Sequence, residues 1–293
     1  MSQDPAPITP PPGTRAIDLA VEIAASPEDV WRCLTDAREL ERWFPLHARV
    51  EPGVGGSIWI SWGEGLAAAD PITVWDPPRH LRTGGAGAGA GAISLAVDYL
   101  IEGRAGGTTR LRLVHSGFGT GDEWDARYAA TDAGWSYFLL NLRHYLERHA
   151  GTPRRMVWAR VRAHGPRPAA MTRLTGREGL GLAGTEEPDA SGGLDPALLP
   201  GDRFAATGLP VGRIEGSVLH HRPGVTFAGT LEELNDGLVF LEMEPGGDPW
   251  HAGIWISTYG VAEDVVERLQ RALDERLTRL FPPDAVAEPP PLA

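Results

Sequence analysis

Apolar and polar positions alternate near the start of the chain and predict a half-buried strand. The segment AIDLAVEIAA carries an apolar side chain at every second position, namely Ile17, Leu19, Val21 and Ile23. A period of two residues is typical of a strand with one face in a core. The next segment, SPEDVWRCLTD, predicts a helix, because Ser26 can cap it, Pro27 suits its first turn and Asp29 completes a capping box.

The rest of the first half predicts a sheet followed by a long helix. Strand patterns occur at SIWISW (57–62), PITVWD (71–76), ISLAVDYLIE (93–102) and TTRLRLVHS (108–116). A short helix, ARELERWF, precedes them. The segment GWSYFLLNLRHYLERH then has apolar residues at i, i+3 and i+4 spacing, which predicts an amphipathic helix. Between the last strand and this helix, GFGTGDEWDARY predicts either a mobile lid or an ordinary connection.

The second half repeats this order in a shorter form. A strand (MVWARVRA) and a weak helix (PAAMTRLTG) precede several strands, and AEDVVERLQRALDERLTRLF predicts a closing helix. The linker is expected near Gly151-Thr152-Pro153. We therefore predict an α+β protein of two tandem helix-grip domains, 15–150 and 154–281, each a curved antiparallel sheet wrapped around a long C-terminal helix. The Pro-rich tails 1–14 and 282–293 are predicted to be disordered.

Composition excludes several classes of function. The formal net charge of -12 argues against nucleic acid as a partner. No apolar run is long enough for a membrane-spanning helix. The single cysteine, Cys33, excludes an internal disulfide and a multi-cysteine zinc site, and a buried, inert thiol is expected there. All 27 basic residues are arginine, so lysine-based chemistry is excluded. We expect no cofactor and, by default, a cytoplasmic location.

Five stretches of the first half together resemble a known family. They are ASPEDVWRCLTDARELERWF, VEPGVGG, WDPPRHL, TTRLRLVHSGF and DAGWSYFLLNLRHYLE. Their order and spacing are similar to the START-like, or Bet v 1-like, superfamily, and within it to domains of the activator of Hsp90 ATPase. The second half resembles the superfamily as a degenerate copy, through PGDRF and the final helix. The resemblance implies an apolar cavity, often with a lipid-like, aromatic or polyketide-like ligand, in carriers, cyclases, receptors and chaperone partners.

His115 is the polar residue of most interest. It follows Leu111 and Leu113 on the apolar face of a strand pattern, just before Gly117, which is expected to end the strand. Three interpretations remain open: a structural anchor, a contact to a bound ligand, or a catalytic base. Catalysis would require a carboxylate beside the ring, and the sequence does not show whether the acids at 122, 123 and 125 lie there.

Aromatic residues provide the candidate site. Seven of the ten tryptophans fall in the first half, and clustered aromatic residues form cores or line pockets. The predicted pocket walls are Trp43, Phe44, Trp62, His115, Phe118, Trp135 and Phe138. No catalytic residue is predicted. No metal site is predicted either, because neither pair of nearby histidines shares a face: His144 and His149 are five residues apart on a helix, and His220 and His221 are adjacent on a strand. The glycines of TGGAGAGAGA predict a hairpin tip, since they lack the phosphate-loop spacing.

The leading hypothesis is non-catalytic binding of a small hydrophobic ligand in the first domain. The first alternative is a partner protein that resembles activators of the Hsp90-type chaperone ATPase. The second is a polyketide cyclase-like enzyme in which His115 and an acid transfer protons. The second domain is expected to be mainly structural or a partner surface. Ligand identity and oligomeric state are left open.

Overall fold

The chain forms two compact units, Met1–Arg154 and Arg155–Ala293, which divide beside the predicted linker. The computed structural model describes residues 8–63, 67–85, 95–184, 194–244 and 247–282. The predicted glycine hairpin tip lies mostly outside these residues, as do most of both predicted tails. No described helix combines the length and apolar character needed to cross a membrane.

The first unit is a single antiparallel sheet with helices at its beginning and end. Its described elements are β1 (Thr14–Ile23), α1 (Pro27–Thr35), α2 (Ala37–Glu41), β2 (His47–Glu51), β3 (Ser57–Ser61), β4 (Ala67–Asp76), β5 (His80–Gly84), β6 (Ala96–Gly103), β7 (Thr109–Gly119) and α3 (Asp122–Arg148). The strand order is β1-β7-β6-β5-β4-β3-β2. The long helix α3 contacts β1, β7 and α1, as a helix-grip fold requires.

Local sequence explains how the two short helices begin. The Ser26 side chain accepts a hydrogen bond from the Asp29 backbone N–H at 3.1 Å, which confirms the predicted cap of α1. Asp36 caps α2 in the same way, through the backbone N–H of Glu39 at 3.0 Å. These caps satisfy N–H groups that a helix leaves without partners at its start.

The strand register places His115 on the helix side of the sheet. His115 lies opposite Ile17 on β1 and opposite Val97 on β6. The sequence predicted that β7 would end at Gly117, but the strand does not end there. Gly117 instead has a φ of +94° at a bulge where the pairing with β1 shifts by one residue, and the strand continues to Gly119. Glycine suits this position because it adopts positive φ without strain.

Helix α3 is longer than predicted. It begins at Asp122, so the part of the predicted lid from Asp122 to Tyr128 is its first two turns and the lid interpretation is wrong. Side chains in these turns are mostly exposed. The apolar periodicity that marks a helix in sequence therefore begins only near Ala133, where α3 becomes buried.

The second unit repeats the topology of the first. Its described elements are β8 (Arg154–Ala163), α4 (Arg167–Thr175), β9 (Leu182–Gly184), β10 (Arg203–Ala206), β11 (Ile214–Arg222), β12 (Thr226–Leu231), a 3-10 turn (Glu232–Leu234), β13 (Gly237–Met243), β14 (Trp250–Tyr259) and α5 (Glu263–Leu280). The strand order β8-β14-β13-β12-β11-β10-β9 is that of the first sheet. The predicted pair of helix-grip domains is thus confirmed.

Aliphatic side chains dominate the core of the second unit. Helix α5 buries Leu269, Leu273, Leu277 and Leu280. They pack in one cluster with inward-facing strand residues such as Ile254 and Ile256. A branched aliphatic core of this kind fills the space between sheet and helix with well-defined rotamers.

Candidate ligand-binding site

The seven residues predicted to line a pocket form one connected series of ring contacts in the first unit. Phe44 is at its centre. Its ring centroid lies 4.6 Å from Phe138, 5.1 Å from Trp43, 5.2 Å from Trp62 and 5.4 Å from Trp135. These separations are those of favourable stacked and edge-to-face aromatic pairs. The structure therefore brings together residues that are more than 90 positions apart in sequence.

His115 and Phe118 extend the series along β7. The imidazole lies 4.7 Å from the Phe118 ring and 6.1 Å from the Trp135 ring, centroid to centroid. Trp135 thus joins the two parts of the site, because it contacts both Phe44 and His115. We call the seven residues the aromatic site.

Four segments position the aromatic site, and one of them is the end of β3, which Trp62 directly follows. Trp43 and Phe44 follow α2, and hydrogen bonds hold this segment: the Trp43 indole N–H donates to the Cys33 carbonyl at 2.9 Å, and the Asn141 amide donates to the Trp43 carbonyl. His115 and Phe118 lie on β7, while Trp135 and Phe138 lie three residues apart on one side of α3. Backbone bonding after α2 therefore orients the rings that α3 packs against.

A hydrogen bond fixes the state of His115. The indole N–H of Trp135 donates to His115 Nδ1 at 2.9 Å. An indole nitrogen can only donate, so Nδ1 accepts and the proton of the neutral imidazole is on Nε2. Burial, together with the positive charge of Arg127, lowers the pKa of His115 to about 4. His115 is therefore a neutral hydrogen-bond donor at physiological pH.

This geometry bears on the three interpretations of His115. The ring is anchored, but through the Trp135 side chain rather than a backbone group. No carboxylate of the described residues hydrogen-bonds to it, and Asp125 instead forms an ion pair with Arg15. An imidazole with a pKa near 4 is also a weak base at neutral pH. The arrangement is suited to donating a hydrogen bond through Nε2.

Exposure divides the aromatic site into two layers. Trp43 and Phe118 have no exposed surface, so they support the other rings, and a direct ligand contact from them stays a prediction that requires neighbouring rings to move. Trp62, Phe138 and His115 are half-buried. These three side chains combine apolar surface with two N–H groups, those of the Trp62 indole and of the His115 imidazole.

Sequence reasoning missed two polar residues on the same face of the sheet. Tyr99 lies opposite Leu113 on β7, and its ring is 6.1 Å from that of Trp135. Asp70 on β4 is exposed, yet desolvation raises its pKa. Burial raises the pKa of Tyr99, and Asp70 adds to this effect. The alternation of residues in LAVDYLIE places Tyr99 on the same face of the strand as Val97, and this pattern could have identified Tyr99 from the sequence.

Two other sequence predictions can be compared with the structure. The rings of His144 and His149 lie 5.1 Å apart, so the prediction that they point to different sides is wrong. The reason is that α3 ends at Arg148, and His149 leaves the helical path. Cys33 is fully buried, and burial raises the pKa of its thiol, in agreement with the inert thiol expected.

A family comparison finds a match within the first domain. Residues 24–147 match the family model for "Activator of Hsp90 ATPase homolog 1-like protein". The predicted resemblance is confirmed for this segment. The match begins just before α1 and ends in the last turn of α3, so it contains the whole aromatic site. No curated protein sequence matches the chain.

Solved structures similar to this chain match either about half of it or most of it. The Aha1 dimer from Colwellia psychrerythraea is 24% identical, with 47% of this chain and 99% of that chain covered and a TM-score of 0.39. DynU16, a putative protein of the dynemicin biosynthetic locus, is 18% identical, with coverages of 89% and 95% and a TM-score of 0.39. The di-domain ARO/CYC BexL of the BE-7585A biosynthetic pathway is 15% identical, with coverages of 91% and 95% and a TM-score of 0.41.

Proposed function

We propose that the first domain binds a small hydrophobic ligand at the aromatic site without chemical conversion. The observation that carries this proposal is the continuous ring series whose outer members, Trp62, Phe138 and His115, remain half-buried. Half-exposed aromatic rings held by a buried second layer are pre-organised, so binding orders few side chains. His115 adds a neutral donor that orients the ligand.

The expected affinity follows from the apolar area that the rings offer. A ligand that covers an aromatic side chain removes apolar surface from water. This burial contributes about 25 cal/mol per Å² to the free energy of binding. Covering about 60 Å² of one indole therefore contributes about 1.5 kcal/mol, or roughly a tenfold change in the dissociation constant. Removing one such ring is a measurable perturbation.

The experiment begins with native mass spectrometry of the purified protein and identification of any extracted molecule. A fluorescent neutral probe, 1-pyrenebutanamide, is then titrated into the protein. Trp62→Ala should weaken probe binding about tenfold. Trp59→Ala is the matched control, because Trp59 lies on the opposite face of β3, where Arg49 covers its ring at 4.7 Å.

The control should bind the probe with unchanged affinity. The proposal would be refuted by a protein that arrives without a bound molecule and does not bind the neutral probe. It would also be refuted if Trp59→Ala and Trp62→Ala weakened binding equally, since the loss would then reflect general destabilisation of the sheet.

A second candidate function is that of a partner of an Hsp90-type chaperone. The match of residues 24–147 to a family described as activators of the Hsp90 ATPase favours it. The measurement is the ATP hydrolysis rate of an Hsp90-type chaperone with and without this protein. A rise in that rate which persists in Trp62→Ala would place the activity on a surface separate from the aromatic site, and an unchanged rate would exclude this function for the chaperone tested.

A further inference from the structure

A cationic side chain lies at the edge of the aromatic site. Arg127 is exposed in the second turn of α3, and its guanidinium carbon lies 5.3 Å from the centre of the Trp124 ring. Within the described part of the chain, Arg127 forms no salt bridge. An arginine that rests on an aromatic face keeps its N–H donors available for another partner.

Two rings connect Arg127 to His115. The Trp124 ring lies 6.3 Å from that of Phe118, which in turn lies 4.7 Å from the imidazole of His115. The charge of Arg127 also contributes to the low pKa of His115, as expected for two neighbouring groups. The guanidinium and the imidazole therefore flank the same pair of rings.

Two acidic residues near the start of α3, Glu123 and Asp125, are directed elsewhere. Asp125 forms an ion pair with Arg15, whose guanidinium also lies over the Tyr128 ring at 4.3 Å. Glu123 folds back over the helix start, since its carboxylate lies 2.7 Å from the position that a Cβ on Gly121 would occupy. Neither carboxylate neutralises Arg127, whose positive charge remains available at the edge of an apolar surface.

We propose that Arg127 recognises an anionic group at the edge of the aromatic site, so that the ligand of the first domain is a hydrophobic carboxylate. The planar guanidinium presents paired donors that match the two oxygens of a carboxylate. The half-buried rings of the aromatic site receive the apolar part of the molecule. This inference rests on the proposed ligand-binding function and narrows its ligand class.

The test compares two probes that differ only in charge. 1-Pyrenebutanoate and 1-pyrenebutanamide are titrated into the full-length protein at pH 7.5 and low salt, with pyrene fluorescence as the signal. The wild-type protein should bind the anion more tightly than the amide by roughly threefold to tenfold, the range of a partly exposed charge-assisted contact. Arg127→Gln should abolish this preference and leave amide binding unchanged.

Arg79→Gln is the matched control. It removes the same charge from the turn between β4 and β5, where the Arg79 side chain is 72% exposed and pairs with nearby Asp76. This variant should retain the preference for the anion. Equal binding of the two probes to the wild-type protein, or equal weakening of both by Arg127→Gln, would overturn the anionic subsite but not the proposed function. Failure of both probes to bind would overturn the two together.

Discussion

Protonation of His115 should destabilise the first domain in mild acid. Its pKa falls from an ordinary value of 6.5 to about 4 in the folded protein, because the ring is desolvated and Arg127 is near. Between these two values the unfolded chain binds a proton that the folded chain does not. The stabilisation is therefore complete above about pH 6.5 and is lost as the pH falls toward 4.

The size of the effect follows from the pKa difference. Each unit corresponds to about 1.4 kcal/mol, and integration between pH 8 and pH 5 gives about 2 kcal/mol of lost stability. His115 is half-buried, so solvent screening reduces the expected loss to between about 1 and 2 kcal/mol. A loss of this size is accessible to urea denaturation followed by tryptophan fluorescence.

His115→Asn isolates the contribution. The asparagine carbonyl can accept the Trp135 indole N–H, as Nδ1 does in the wild-type protein, but it does not titrate. The variant should therefore lose less stability between pH 8 and pH 5 than the wild-type protein, by about 1 to 2 kcal/mol. His47→Asn, at an exposed position on β2, is the control and should follow the wild-type protein. Identical pH dependence in all three proteins would refute the assignment of a buried, neutral His115.

Two further predictions concern buried side chains outside the site. Cys33 should not react with a water-soluble thiol reagent in the folded protein, because it is fully buried and its pKa is raised; fast labelling without denaturant would contradict this. Leu273→Ala should lower the free energy of unfolding by about 2 to 5 kcal/mol, since it opens a cavity where α5 meets the second sheet. Urea denaturation measures this loss, and a change below about 0.5 kcal/mol would show that the helix repacks.

The sequence predicted the tandem arrangement because each half carries the same order of elements. It did not reveal β2, β5 or β9, which have five, five and three residues. The segments HARVE and HLRTG each contain only two or three apolar or small residues, too few to show a period of two. Pairing with longer neighbours forms these strands, and that information lies in the partner strand rather than in the segment itself.

The sequence was enough to predict which residues form the aromatic site, but not how their side chains are arranged. Strand alternation placed His115 on the helix side, and helical spacing placed Trp135 and Phe138 on one side of α3. The hydrogen bond between Trp135 and His115 depends on how far along β7 the helix lies. The effect of Arg127 on the pKa of His115 was not predictable either. The turns of α3 that carry Arg127 are mostly exposed and lack the apolar periodicity that indicates a helix.

The two domains show why the candidate function belongs to side chains rather than to the fold. Both sheets have the same strand order and each is followed by a long helix. In the first domain the helix carries Trp135 and Phe138 toward a strand that bears His115, whereas the helix of the second domain carries leucines toward Ile254 and Ile256. Aliphatic side chains fill such an interior and present no hydrogen-bond donor. The same strand order thus carries a mainly aliphatic core in the second domain and an aromatic series with a hydrogen-bonded histidine in the first.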